Sequence, residues 1–124
     1  MRIAGLNNSA KDSTYLKRRL TLPQLKKYDI TQKVIEALAD AESRAILFSI
    51  IKKGRTASDI SGKCKIPLSS VYKKLSDLED LTLVEIEKWL ISDKGRKFKV
   101  YRSRISKADI SIKKSEPSLI LVPN

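Results

Sequence analysis

Between Thr31 and Gly54 the apolar residues Val34, Ile35, Leu38, Ala41, Ala45, Ile46, Leu47, Phe48 and Ile50 recur at the spacing of one helical face. Asp40-Ala-Glu-Ser interrupts the run and predicts two helices, with Asp40 capping the second. Gly54 supplies its stop. A short third helix follows, capped by Thr56 with Asp59 three residues on, and Ala57, Ile60 and Cys64 share its apolar side. Lys65-Ile66-Pro67 turns the chain, because a residue before proline is pushed out of the helical region. Leu68, Val71, Leu75 and Leu78 then mark one side of a fourth helix over residues 68–80.

After Leu81 the period changes. Residues 83–91 and 97–105 are rich in β-branched and aromatic side chains, and Ser92-Asp-Lys-Gly-Arg96 between them is a turn with basic flanks. The prediction is a β-hairpin with a positive tip. Ile110-Ser-Ile112 and Leu119-Ile-Leu-Val122 read as a further short strand pair around a turn over residues 113–118, favoured by Pro117. Four consecutive apolar residues are expected to be covered, either on the main sheet or across a dimer. The first dozen residues show no periodicity, and Tyr15-Leu-Lys-Arg-Arg-Leu20 is at most a helical turn before Pro23. Residues 1–30 are therefore read as a basic arm, partly disordered, 31–105 as the folded domain and 106–124 as a strand-like extension. The fold class is α+β, mainly helical: three to four helices plus a hairpin and a short C-terminal strand pair.

Charge narrows the function. The 124-residue chain carries 26 Lys and Arg against 14 Asp and Glu, a net +12, and the arm alone holds seven bases against two acids. Such an excess suits a polyanionic partner. There is no His and one Cys, so neither an internal disulfide nor a Cys/His zinc site can form. No catalytic constellation and no cofactor site can be assembled, so an enzyme is not expected. The longest apolar run, residues 45–51, is too short to span a membrane and contains Ser49. With no signal-peptide core, the expected compartment is a reducing cytoplasm.

The fourth helix orders its charges against its own dipole. No acid occurs from Lys63 to Ser76, while Asp77, Glu79 and Asp80 crowd the last turn. That order costs about 0.3–1 kcal/mol per exposed charge. It is what a helix needs if its leading half enters the major groove and its trailing half stays outside, where several phosphate contacts outweigh the penalty. Ser69, Ser70, Lys73, Ser76 and Asp77 lie opposite the apolar side, with Tyr72 and Lys74 on the flanks. The plain alternative is a solvated helix face whose charges segregate by accident.

The succession from Ala37-Leu-Ala-Asp40 and Arg44-Ala-Ile-Leu47 through Thr56-Ala-Ser-Asp-Ile60, Ile66-Pro-Leu-Ser-Ser-Val-Tyr-Lys-Lys-Leu75, Leu78-Glu, Leu83-Val84 and Tyr101-Arg102 resembles the winged helix-turn-helix family, in particular small archaeal ArsR- and MarR-like regulators. The resemblance covers residues 31–105 and lies in the whole order of elements. It implies a sequence-specific regulator of transcription, a homodimer on double-stranded DNA, with half-sites about 34 Å apart. Helix 68–80 would enter the major groove and the wing, residues 92–97, would follow the backbone or minor groove. Ser69, Ser70, Tyr72 and Lys73 would then face base edges, with Lys74 nearer a phosphate. Lys94, Arg96 and Lys97 would be the wing contacts, Thr56 a phosphate holder, and Arg55, Lys63 and Lys65 flanking cations. The resemblance also allows a partner in the transcription machinery.

The chain departs from that family in three places. It lacks the Cys and His clusters of metal sensors, it has Thr82 where a glycine commonly precedes the Leu-Val strand, and a strand-like tail replaces the long C-terminal dimer helix. Two alternatives stand beside the regulator: a non-specific architectural DNA-binding protein, and a winged-helix interaction module of a larger assembly. Among single residues, Cys64 is expected as a small core residue, Trp89 and Phe98 as cross-strand packing, and Tyr72 as either packing or contact. Glu85 and Glu87, two apart on a strand, are expected to face solvent. Leu119 to Val122 is expected at an interface or a sheet edge.

Overall fold

The computed structural model describes residues 22–114 and 116–124, with side chains from Ile30 onward. Its elements are α1 (Leu22–Ala39), α2 (Ala41–Ser49), α3 (Ala57–Cys64), α4 (Leu68–Asp80), β1 (Val84–Ile91), β2 (Lys97–Ser103), β3 (Ile105–Lys113) and β4 (Glu116–Pro123). They divide into two compact units, one of residues 36–108 with 121–124 and one of 109–120 with the described residues up to 35. The segment read as an arm thus contributes residues 22–30 to α1, while Tyr15–Leu20 lies outside the described residues. Among the described residues no helix is long and apolar enough to cross a membrane.

In the larger unit, local chemistry sets each boundary. The Asp40 carboxylate accepts from the Ser43 amide at 2.9 Å and its hydroxyl at 2.8 Å, which starts α2. The Arg44 guanidinium closes α1 by donating to the Leu38 and Ala39 carbonyls, each at 2.9 Å. Thr56 Oγ1 accepts from the Asp59 amide and starts α3, which ends at Lys65 in the left-handed region, φ 57°. The end of α4 is a Schellman motif: Leu83 N donates to Leu78 O and Thr82 N to Glu79 O, both at 2.9 Å. Its left-handed residue is Thr82, φ 60°.

The core joins Ile46, Leu47 and Ile50 to Ile60 of α3, Ile66 of the turn, Val71, Leu75 and Leu78 of α4, and Leu83, Val84, Val100 and Tyr101 of the hairpin, all buried. Each large aliphatic chain so buried contributes about 1.5–3 kcal/mol. Several apolar positions of the helical pattern fall outside this core, exposed Ala41 among them. Leu68, in the first turn of α4, is 40% exposed, and Ala45 and Phe48 lie on the outer side of α2. Cys64 is half-buried, its thiol 3.7 Å from the Ala45 carbonyl.

Strands β1 and β2 pair antiparallel from Val84↔Ser103 to Ile91↔Lys97. A bulge at Glu87 interrupts the ladder between Ile86↔Tyr101 and Lys88↔Val100, and its carboxylate meets the Arg102 guanidinium at 2.8 Å. A third, one-residue strand completes the sheet: Arg55 and Tyr101 exchange both backbone bonds, at 3.1 and 2.8 Å. Ser103 ends the ladder, its amide donating to Ile50 O while its buried hydroxyl bonds Ile105.

The C-terminal strands are longer than the pattern suggests. β3 and β4 form their own two-stranded sheet rather than joining β1 and β2, with β3 running to Lys113 and β4 starting at Glu116. Pro117 lies inside β4, where an edge strand tolerates the missing N–H. In the larger unit Asn124 ties this end down, its side-chain amide donating to Ile51 O and Ser103 O, each at 2.9 Å.

Candidate nucleic-acid interface

Two helices joined by a three-residue turn present α4 with one side sealed and the other open. Val71, Leu75 and Leu78 seal it against the core. Ser69, Tyr72, Lys73, Ser76 and Asp77 are exposed, and Ser70 is half-buried. The open side therefore contains the residues that the pattern assigned to it.

Lys74 is placed differently from Lys73. Sequence reasoning sets it beside a phosphate; the structure sets its ammonium 2.8 Å from Asp40 Oδ2 and 3.7 Å from Glu42 Oε1 in the first turn of α2. The Lys74 hydrogen bond, then the Ser43 hydroxyl and amide, pull the Asp40 carboxyl down from 3.8 to about 2. Asp40 in turn raises the Lys74 ammonium above its ordinary value. One carboxylate thus caps α2 and fixes α4 to it.

The wing is built by its turn. Ser92 N donates to Arg96 O, Gly95 N to Ser92 O and Arg96 N to Ser92 Oγ, and Gly95 takes φ 79°, a conformation suited to glycine. Lys94, Arg96 and Lys97 project from it, all exposed. Lys63 and Lys65 are exposed at the end of α3 and in the turn. Arg55 is half-buried, its backbone held by Tyr101 and its Nε donating to Ser49 O at 3.3 Å. Thr56 is half-buried at the start of α3, its hydroxyl oxygen occupied by the Asp59 amide.

Sequence reasoning passed over a cleft in this surface. Thr56, which caps α3, Ser58 of α3, Tyr72 of α4, and Trp89, Lys97, Lys99 and Tyr101 of the wing strands line a cavity of about 240 Å³. Trp89 pairs across the ladder with Lys99, whose ammonium lies 5.6 Å from the ring centre. Trp89 is 54% exposed and Tyr72 51%, so neither ring is used up by packing. Burial, with smaller contributions from Glu79 and Tyr72, raises the Tyr101 hydroxyl and keeps it protonated. The signal in the sequence is the alternation Lys97, Lys99, Tyr101 on one face of β2, although the partner α3 cannot be read from it.

No family model matches the chain, and no curated protein does. Among solved structures, NolR from Sinorhizobium fredii, a winged-helix protein, is 20% identical over 68% of this chain and 78% of its own, with a TM-score of 0.55. The fold is a winged helix-turn-helix. In that frame α3 and α4 are the helix-turn-helix pair, β1 and β2 form the wing, and Arg55 is the short strand that docks the wing to the helices.

Proposed function

We propose that this winged helix-turn-helix chain is a sequence-specific, double-stranded DNA-binding regulator of transcription, of the small ArsR- and MarR-like archaeal kind. The observation that carries this reading is the open side of α4. Ser69, Tyr72 and Lys73 are exposed there, no acid interrupts residues 63–76, and the exposed cations of the wing tip follow in the chain. In this reading Ser69, Ser70, Tyr72 and Lys73 face base edges in the major groove. Lys94, Arg96 and Lys97 neutralise phosphates along the backbone or minor groove, and Lys63, Lys65, Arg55 and Thr56 flank the track. Lys74 positions the helix. The likeness to NolR, a winged-helix transcription regulator, supports the coarser part of this reading, a winged-helix regulator that binds DNA.

The regulator acts as a cytoplasmic homodimer on a roughly palindromic site, and the apolar side chains of β3 and β4 that remain exposed, Ile110, Ile112, Ile120 and Val122, are candidates for its interface. The basic segment before α1 adds backbone contacts. Selection of binding sites from random duplex DNA tests the reading. A recovered consensus, lost with Lys73→Ala, is the expected result. Lys94→Ala should instead weaken all duplexes alike and shrink the salt slope by about 0.9. Binding without any consensus would favour an architectural protein, and no binding to duplex would favour a protein-interaction module.

A further inference from the structure

We propose that the cleft between α3, α4 and the wing binds a nucleotide unit, its base against Trp89 and Tyr72 and its phosphate at Lys97 and Lys99. The inference stands on the cleft itself and does not require that α4 read DNA. Four observations converge on it. The cavity of about 240 Å³ is smaller than the roughly 300–1,000 Å³ of a drug-sized ligand site, which leaves room for one or two fused rings. Two aromatic side chains, Trp89 and Tyr72, are about half exposed on its walls, an open position for large apolar surfaces that the fold could have covered. Two lysines line it, no carboxylate does, and neither ammonium has a carboxylate within 4.0 Å among the described residues. Thr56 Oγ1 accepts from the Asp59 amide and so keeps its own proton to donate, beside the exposed Ser58 hydroxyl.

The occupant follows from the combination. A phosphate alone has no use for two exposed rings, and a neutral aromatic has no use for two ammonium groups without a carboxylate partner, one of them 5.6 Å from the Trp89 ring centre. A base carrying a phosphate uses both, through stacking on the ring faces and charge-assisted hydrogen bonds at the mouth. The unit can come from a free nucleotide or from an unpaired nucleotide within a strand. Because Thr56, Tyr72 and Lys97 also belong to the proposed duplex surface, an occupant of the cleft would compete with duplex DNA.

Trp89 is the only tryptophan in the chain, so its fluorescence reports on this cleft alone. The full-length protein is titrated with AMP, with its halves adenosine and ribose 5-phosphate, with benzoate, and with a tetramer of thymidylate. Saturable quenching by AMP is expected, with each half and benzoate weaker by about tenfold or more. Lys97→Ala and Tyr72→Ala, both exposed and outside the core, should each weaken AMP severalfold while the thermal midpoint holds. Tighter binding of the tetramer than of AMP assigns the site to a strand, and equal binding assigns it to the free nucleotide. The proposal is overturned if AMP does not quench saturably, if either half or benzoate binds as tightly as AMP, or if both variants bind AMP unchanged. Duplex selection is read separately, so loss of one result leaves the other intact.

Discussion

Replacing Thr82 by glycine should make this protein more stable. Thr82 occupies the left-handed position of the Schellman motif that ends α4, φ 60°, with its neighbours Leu78 and Leu83 both buried. A left-handed conformation costs an L-residue roughly 1–2 kcal/mol, and β-branching puts threonine at the upper end. The Thr82 side chain offers little in return, since its exposed hydroxyl bonds only the adjacent Leu81 carbonyl, at 2.6 Å. Glycine removes the strain but adds backbone freedom to the unfolded chain, a loss of roughly 0.5–1 kcal/mol. The balance is a gain of about 1–1.5 kcal/mol, or roughly 4–6 °C in Tm for a domain of this size. Thermal and urea unfolding of Thr82→Gly and Thr82→Asn measure it. Asparagine tolerates the same region and should fall between the two. A midpoint for Thr82→Gly at or below that of the parent would refute the argument, because it would mean that no strain is stored at the end of α4.

Two other substitutions probe the packing around the wing and the fixation of α4. Gly54 is needed for close approach rather than for turning. A Cβ there would run into Glu87 Oε1 and sit 2.7 Å from Val100 Cγ1, so Gly54→Ala should destabilise by about 1–3 kcal/mol and disturb the Glu87–Arg102 pair, seen as a lowered urea midpoint. Asp40 contributes stability that is complete above its unfolded value of 3.8 and is lost as pH falls toward its folded value of about 2. Lys74→Met should flatten that acid limb of the stability–pH curve, and an unchanged limb would deny the pair its role. Because both side chains are partly exposed, salt should weaken the effect as well.

Much of this fold can be read from local chemistry. Asp40 and Thr56 are caps because a short side-chain oxygen reaches the amide three residues on, and both contacts form. The bounds of α4 and, to within a residue, of the first wing strand follow from their periods, whereas the second wing strand stops at Ser103 and Ile105 starts β3. Elsewhere the decisive partner is remote. Asp40 and Lys74 are 34 residues apart, beyond any helical spacing rule, so the lysine reads as free. Arg55 forms a strand of one residue, too short for a period. Pro23 reads as a stop, yet proline is tolerated in the first turn of a helix, and α1 starts at Leu22. Leu68 fits the apolar stripe by spacing, but it stands in the first turn, where the core does not reach.

The charge order of α4 takes a different meaning once Lys74 is paired. Of two adjacent lysines, one faces outward and one reaches back to Asp40 and Glu42. Those carboxylates sit at the N-terminus of α2, where the helix dipole already favours negative charge, so the contact offsets part of the unfavourable order within α4. The absence of acids from residues 63–76 therefore serves two ends: it leaves Lys73 unopposed on the open side, and it leaves Lys74 to partners on another helix. A helix that offers one free lysine draws little affinity for a polyanion from its own charge. On the proposed reading, affinity must come mainly from Lys63, Lys65 and the wing tip, while α4 supplies discrimination through Ser69, Tyr72 and Lys73. Sequence preference and salt dependence would then reside on different elements, joined by the Asp40–Lys74 contact and by the Arg55–Tyr101 bridge that set the helix and the wing against one core.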